Sequence, residues 1–263
     1  MTVVMVMDMK LNVFRCVKSL EKFSKHLTQD LVDRLHFFLN YQEEDTLHDI
    51  RVEIKKVKAV LSLLGHSHKK FNTHKAFLPY RTIFRKADAI REPIILNTIL
   101  SDNQLTETNN DQPRLLKGPT VEAFLDDIPF HIESVLSSWK KLKPWIRTEN
   151  RKEFKGFMRK KKKEVEKGIF PTPDMENIHA IRKKIKAILY LSKIKGDLSK
   201  TEEKFYHEME QTIGQWHDKQ VLQANLNNLN GRADKEKIKK LVSMIKLDKS
   251  KMKTMAGDFY QLN

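Results

Sequence analysis

A single cysteine, Cys16, serves all 263 residues, so an intrachain disulfide is excluded. The natural reading is a reducing cytoplasm, with Cys16 as a small core residue. Glycine and proline number only eight each, and they cluster where helices would end. No apolar run approaches the roughly 18 residues that a membrane span requires, so no membrane partner is expected. The opening MTVVMVMDMK has no basic n-region and too short an apolar run for a signal peptide; a short strand or a disordered lead-in is expected there. P-loop, nucleophile-elbow and Cys/His-cluster patterns are all missing, which argues against a cofactor, a metal and an enzyme. Acidic residues are in deficit too. Against 50 Lys and Arg stand 34 Asp and Glu, a formal charge of +16, and that balance asks for a polyanion: nucleic acid, a phosphate polymer or an anionic surface.

What the chain does have is a repeat. LHDIRVEIKKVKAVLSLL, from Leu47 to Leu64, returns as IHAIRKKIKAILYLSKIK from Ile178 to Lys195, with His48 matching His179, Arg51 matching Arg182 and Lys55 matching Lys186. At about 100° per residue, Leu47, Ile50, Ile54, Val57 and Leu61 share one side of the first copy. His48, Arg51, Lys55 and Lys58 form a stripe beside them. In the second copy Ile178, Ile181, Ile185 and Ile188 are flanked by His179, Arg182 and Lys186 in the same way. A merely solvated face would lie opposite the apolar one; a stripe adjacent to it lines a groove or the edge of a bundle.

The remaining periodicity is helical. Helices are expected at roughly 10–41, 46–65, 70–100, 119–143, 148–168, 174–195, 199–230 and 233–257, an all-α chain of two fours that suggests two four-helix bundles. The polar stretch Ser101 to Pro119 reads as a loop inside the first half, and the halves join near Lys143, Pro144 and Trp145, dividing the chain into 1–144 and 145–263. Thr46 precedes the first repeat helix; Pro173-Asp174, with Asn177 shortly after, precedes the second. Trp139, Trp145, Trp216 and the 14 phenylalanines read as core residues, since no base-stacking pattern is present.

The pattern H-x-x-R-x-x-x-K-[KR]-x-[KR] at His48, Arg51, Lys55, Lys56 and Lys58, its second copy at His179, and TIGQWHDKQVL from Thr212 to Leu222 resemble the CHAD family, the conserved histidine α-helical domain. The resemblance covers nearly the whole chain and implies a stand-alone member. It implies two four-helix bundles related by a pseudo-twofold axis, with a basic surface that binds inorganic polyphosphate; riding on polyphosphate granules in the cytoplasm, recruiting a partner to them and sensing phosphate all stay open as roles. Position by position, it implies that His48, Arg51, Lys55 and Lys58, with His179, Arg182, Lys183 and Lys186, face the phosphate chain. The family's paired LG-x-x-[RH]-D box is matched by IGQWHD at Ile213 to Asp218 and, in degenerate form, by ADAIRE at Ala87 to Glu92, which adds Arg91 and His217 as ligands. The chain departs from the pattern at Leu189, where a basic residue is usual, and at Ala87-Asp88, where Leu-Gly is usual.

The chemistry is coherent without the family. A phosphate polymer has regularly spaced charges and no base edges, so Arg and Lys in register suffice: Arg grips two oxygens, Lys supplies a point charge. Two rivals stand beside this. Nucleic acid is a secondary partner, supported by the charge and by the tail KEKIKK to KSKMKT but by no helix-turn-helix, zinc-finger or RRM pattern. A metal-dependent phosphohydrolase is suggested by His48-Asp49 and His217-Asp218. Yet neighbouring residues on a helix diverge, Ala180 stands where Asp49 would repeat, and the cations would repel a metal. The run Arg159 to Lys163 reads as a solvated helix face, with Lys155 and Arg159 on one side of it.

Overall fold

The computed structural model describes the backbone of residues 2–102, 118–227 and 235–261, and within these the side chains of all but residues 2–18, 92, 95–102, 195, 225–227, 235, 237 and 259–261. Every element among the described residues is an α-helix: α1 (Thr2–Tyr41), α2 (Glu44–Ser67), α3 (Thr73–Asp102), α4 (Pro119–Arg147), α5 (Arg151–Ile169), α6 (Ile178–Lys195), α7 (Lys200–Asn227) and α8 (Lys235–Gln261). None of these helices is long and apolar enough to cross a membrane. The chain divides into two compact units, one of Met1–Ile95 with Asn110–Phe157 and another of Leu96–Asn109 with Met158–Asn263. This boundary falls inside α5, whereas the join read from the repeat lies at Pro144.

In the first unit α1 packs against both α2 and α4; in the second α7 packs against both α6 and α8. The apolar stripe of α2 is the reason it is buried: Leu47, Ile50, Ile54 and Leu61 have no exposure, and Val57 has 6%. Each such side chain contributes about 1.5–3 kcal/mol by leaving water. Ile178, Ile181, Ile185 and Ile188 of α6 are buried in the same manner.

Several helix ends differ from their sequence reading. The opening segment is neither strand nor irregular, since α1 is helical from Thr2. Its alternating Val and Met residues suit a helix once the continuous run that follows carries it backward. Thr46 lies within the first turn of α2 and is buried; the N-cap is Glu43, which makes no side-chain cap. Asp174 does not open α6 directly. It accepts from the Asn177 backbone N–H at 3.2 Å and from Asn177 Nδ2 at 2.9 Å, closing the turn that precedes the helix. α4 runs through Pro144 to Arg147, where Thr148 Oγ1 donates to the Trp145 carbonyl. α6 stops at Gly196, whose φ of 65° is left-handed backbone that favours glycine. The loop expected from Ser101 to Pro119 lies largely outside the described residues, as does the Cys16 side chain.

Candidate polyanion-binding clusters

The α2 stripe meets α3 through long side chains. Arg51 Nη2 lies 2.7 Å from Asp88 Oδ1, and its guanidinium carbon sits 4.9 Å from the centre of the Phe84 ring. Lys55 Nζ is 5.9 Å from the same ring, and Lys58 Nζ is 5.1 Å from the ring of Phe77. A cation over an aromatic face is attracted by the ring's negative quadrupole while keeping its charge. His48 is exposed. Loss of water around its ring, then the charges of Arg91, Lys55 and Arg51, hold its pKa below the ordinary 6.5, against an upward pull from Asp49. Asp49 itself pairs with Arg34 of α1, and Lys56 pairs with the buried Glu53 at 2.6 Å. Lys56, a member of the motif, therefore serves an ion pair of its own rather than joining the stripe.

The α6 stripe meets α7 in the same register with different chemistry. Arg182 Nε donates to Glu210 Oε1 at 2.8 Å, and Lys186 Nζ lies 3.0 Å from the same oxygen. Burial pushes the Glu210 carboxyl upward, but Lys186 and Arg182 outweigh it and hold the group below its ordinary pKa of 4.5. The ring of His179 lies 5.0 Å from that of His217, tilted by 40°. Partial burial, then Lys183, His217, Arg182 and Lys186, lower the His179 pKa. Lys183 is exposed.

The two clusters correspond position by position. His48 and Arg91 match His179 and His217, Arg51 and Lys55 match Arg182 and Lys186, and their shared partner Phe84 matches Glu210. One turn before these partners, Tyr80 and Tyr206 match as well, each 1% exposed. The departures from the helix motif and from the box acquire reasons. Gly214 corresponds to Asp88: a Cβ at Gly214 would stand 2.5 Å from Arg182 Nη2, so glycine admits the guanidinium against α7, while at the same register Asp88 engages Arg51. Leu189, matching Lys58, is 5% exposed and belongs to the core. Glu210 and Phe84 escaped the sequence reading; each lies one turn before its box, and alignment of α3 with α7 from Tyr80 and Tyr206 would have found them.

Elsewhere, Lys155, Arg159, Lys160 and Lys163 of α5 are exposed, while Lys161 pairs with Glu164 at 3.0 Å and Lys162 with Glu202 at 2.5 Å. Trp216 is buried and Trp139 and Trp145 are half-buried, Trp145 packing 5.5 Å from Phe71. Phe37, Phe130 and Phe170 are exposed, so the phenylalanines are not all core residues. Among the described residues no three His, Cys, Asp or Glu side chains gather as a metal site. Compared with known protein families, curated proteins and solved structures, the chain finds no match.

Proposed function

We propose that this chain binds inorganic polyphosphate without turning it over, in the manner implied by its resemblance to the CHAD family, and that in a cell it sits on polyphosphate deposits in the cytoplasm. The observation that carries the reading is the duplicated cluster: in each unit an Arg and a Lys one turn apart on one helix converge on a single residue of the next, with a histidine at the edge. Duplication suits a polymer. A ligand with many identical charges has phosphates to offer each cluster, and a second contact on the same chain is made at high effective concentration.

The test is a binding ladder. Affinity should climb from pyrophosphate through tripolyphosphate to long chains, fall steeply with salt as counterions are released, ignore a chelator, and release no orthophosphate. Equal affinity for pyrophosphate and long chains, or turnover that a chelator stops, would defeat the proposal.

A second reading, a general polyanion binder that accepts nucleic acid, is favoured by exposed lysines away from the clusters, such as Lys155 and Lys160 on α5 and Lys239, Lys246 and Lys253 on α8. Competition separates the two. Polyphosphate that displaces RNA at matched charge without being displaced by it supports the first; equal exchange supports the second.

A further inference from the structure

We infer that Glu210 is an internal counter-anion of the α6 stripe: its carboxylate oxygen holds the place of a phosphate oxygen between Arg182 and Lys186, and an incoming phosphate binds there by displacing it. This rests on the polyphosphate reading and adds to it an order of binding. Both cations reach one oxygen, at 2.8 and 3.0 Å, the convergent geometry in which charge-assisted bonds to a phosphate oxygen would form.

The helix pairing does not itself demand the carboxylate. At the matching register of α2 and α3 the Arg51 and Lys55 cations face the ring of Phe84, so an aromatic residue serves in that position. Nor is Asp88 an equivalent barrier. Its side chain is 44% exposed against 15% for Glu210, and it pairs with one cation where Glu210 pairs with two. An exposed pair is weak; a mostly buried carboxylate held by two cations is harder to remove. The absence of a Cβ at Gly214 lets the guanidinium lie back against α7 onto Glu210, and exposed His179 and Lys183 stand nearby to receive an anion that enters.

Displacement sets a threshold. A short anion brings few charges against a carboxylate already in place, whereas a long chain tethered by its other phosphates replaces it readily. The second cluster thus selects for polymers.

The experiment compares wild type, Glu210→Gln and Asp88→Asn by calorimetric titration at fixed salt with tripolyphosphate and with long chains. Glu210→Gln should gain about tenfold in affinity for tripolyphosphate, and Asp88→Asn less than about threefold. The tenfold gain should vanish in Arg182→Gln/Glu210→Gln. If Glu210→Gln binds tripolyphosphate no better while wild type binds long chains, the displacement idea fails and the polyphosphate reading stands. If no variant binds any phosphate chain, both fall; binding by Glu210→Gln alone establishes displacement in its strongest form. Should the variant not fold, the 15Nε resonance of Arg182 in the wild type decides. A shift on adding long-chain polyphosphate supports displacement, and binding that leaves it unmoved overturns it.

Discussion

The α2–α3 and α6–α7 pairs answer one problem in two ways. Each must place an Arg and a Lys beside an apolar stripe, where charges lose part of their water. In the first pair both cations face the ring of Phe84, and Arg51 also meets the half-exposed carboxylate of Asp88; in the second both converge on the mostly buried carboxylate of Glu210, which cancels much of their field. The lesson is that a repeated motif does not carry repeated electrostatics. The residue one helix away decides what the motif presents to solvent.

The comparison can be broken first through the shared core. Ile54 and Ile185 occupy matching positions, each with no exposure. Their replacement by Ala should cost about 2–5 kcal/mol apiece, by lost transfer energy and the cavity left behind. Urea unfolding of the two variants checks it; a loss in one and not the other would show that the units are packed differently despite the shared pattern.

Acid should separate the units next. His131 of α4 is 2% exposed, and burial, helped by the Lys86 charge, pushes its pKa down to about 4. The unfolded chain takes up that proton near pH 6.5, so the stability from a neutral His131 is full above 6.5 and drains away as pH falls toward 4, about 3 kcal/mol in all. In the second unit Glu164, Glu202 and Glu210 have pKa values held below 4.5; their contribution is present above 4.5 and is lost only as pH falls beyond it. At pH 5 the first unit should therefore loosen while the second holds, a difference that hydrogen exchange resolves. His131→Leu should flatten the first unit's profile over this range.

Exchanging the partners sharpens the contrast at the clusters themselves. Phe84→Glu should make the first cluster resemble the second and lower its affinity for tripolyphosphate by about tenfold, roughly the worth of one added counter-charge at a partly buried site; calorimetric titration reads it. Neutral replacement of Arg182 is the better probe of the second cluster than charge reversal. Arg182→Glu would set a carboxylate against Glu210, confounding binding with folding.

The histidines carry the smallest effect. Because burial and neighbouring cations depress both His48 and His179, binding should strengthen only below pH 6.5, by about threefold or less per added charge. A gain centred above 6.5 in a pH series of titrations would mean that a different group titrates.

The eight helices were legible because their cause is local: a period near 3.6 in the apolar residues survives in sequence whatever the neighbours do, and the buried faces of α2 and α6 follow from it. The ends were less legible. Whether α1 begins at Thr2, or α4 continues through Pro144, depends on cooperativity along the helix and on what covers the last turn. Of the candidate site, the stripes His48–Lys58 and His179–Lys186 were visible as repeats on one helix. Their partners Phe84 and Glu210 were not, and Asp88 and Gly214 were visible as box positions but not as neighbours of Arg51 and Arg182, because these residues come from another helix and their relation to the stripe is one of distance, not spacing.

By itself the sequence determined that this is an all-helical chain, strongly basic, with one cationic helix written twice; periodicity and composition act through the nearest turns and need no fold to be read. Only the tertiary structure decided that the cations of one copy share an aromatic ring and those of the other share a carboxylate. Coulomb and cation–π energies depend on separations of a few ångströms between helices, and those separations exist once the helices are packed.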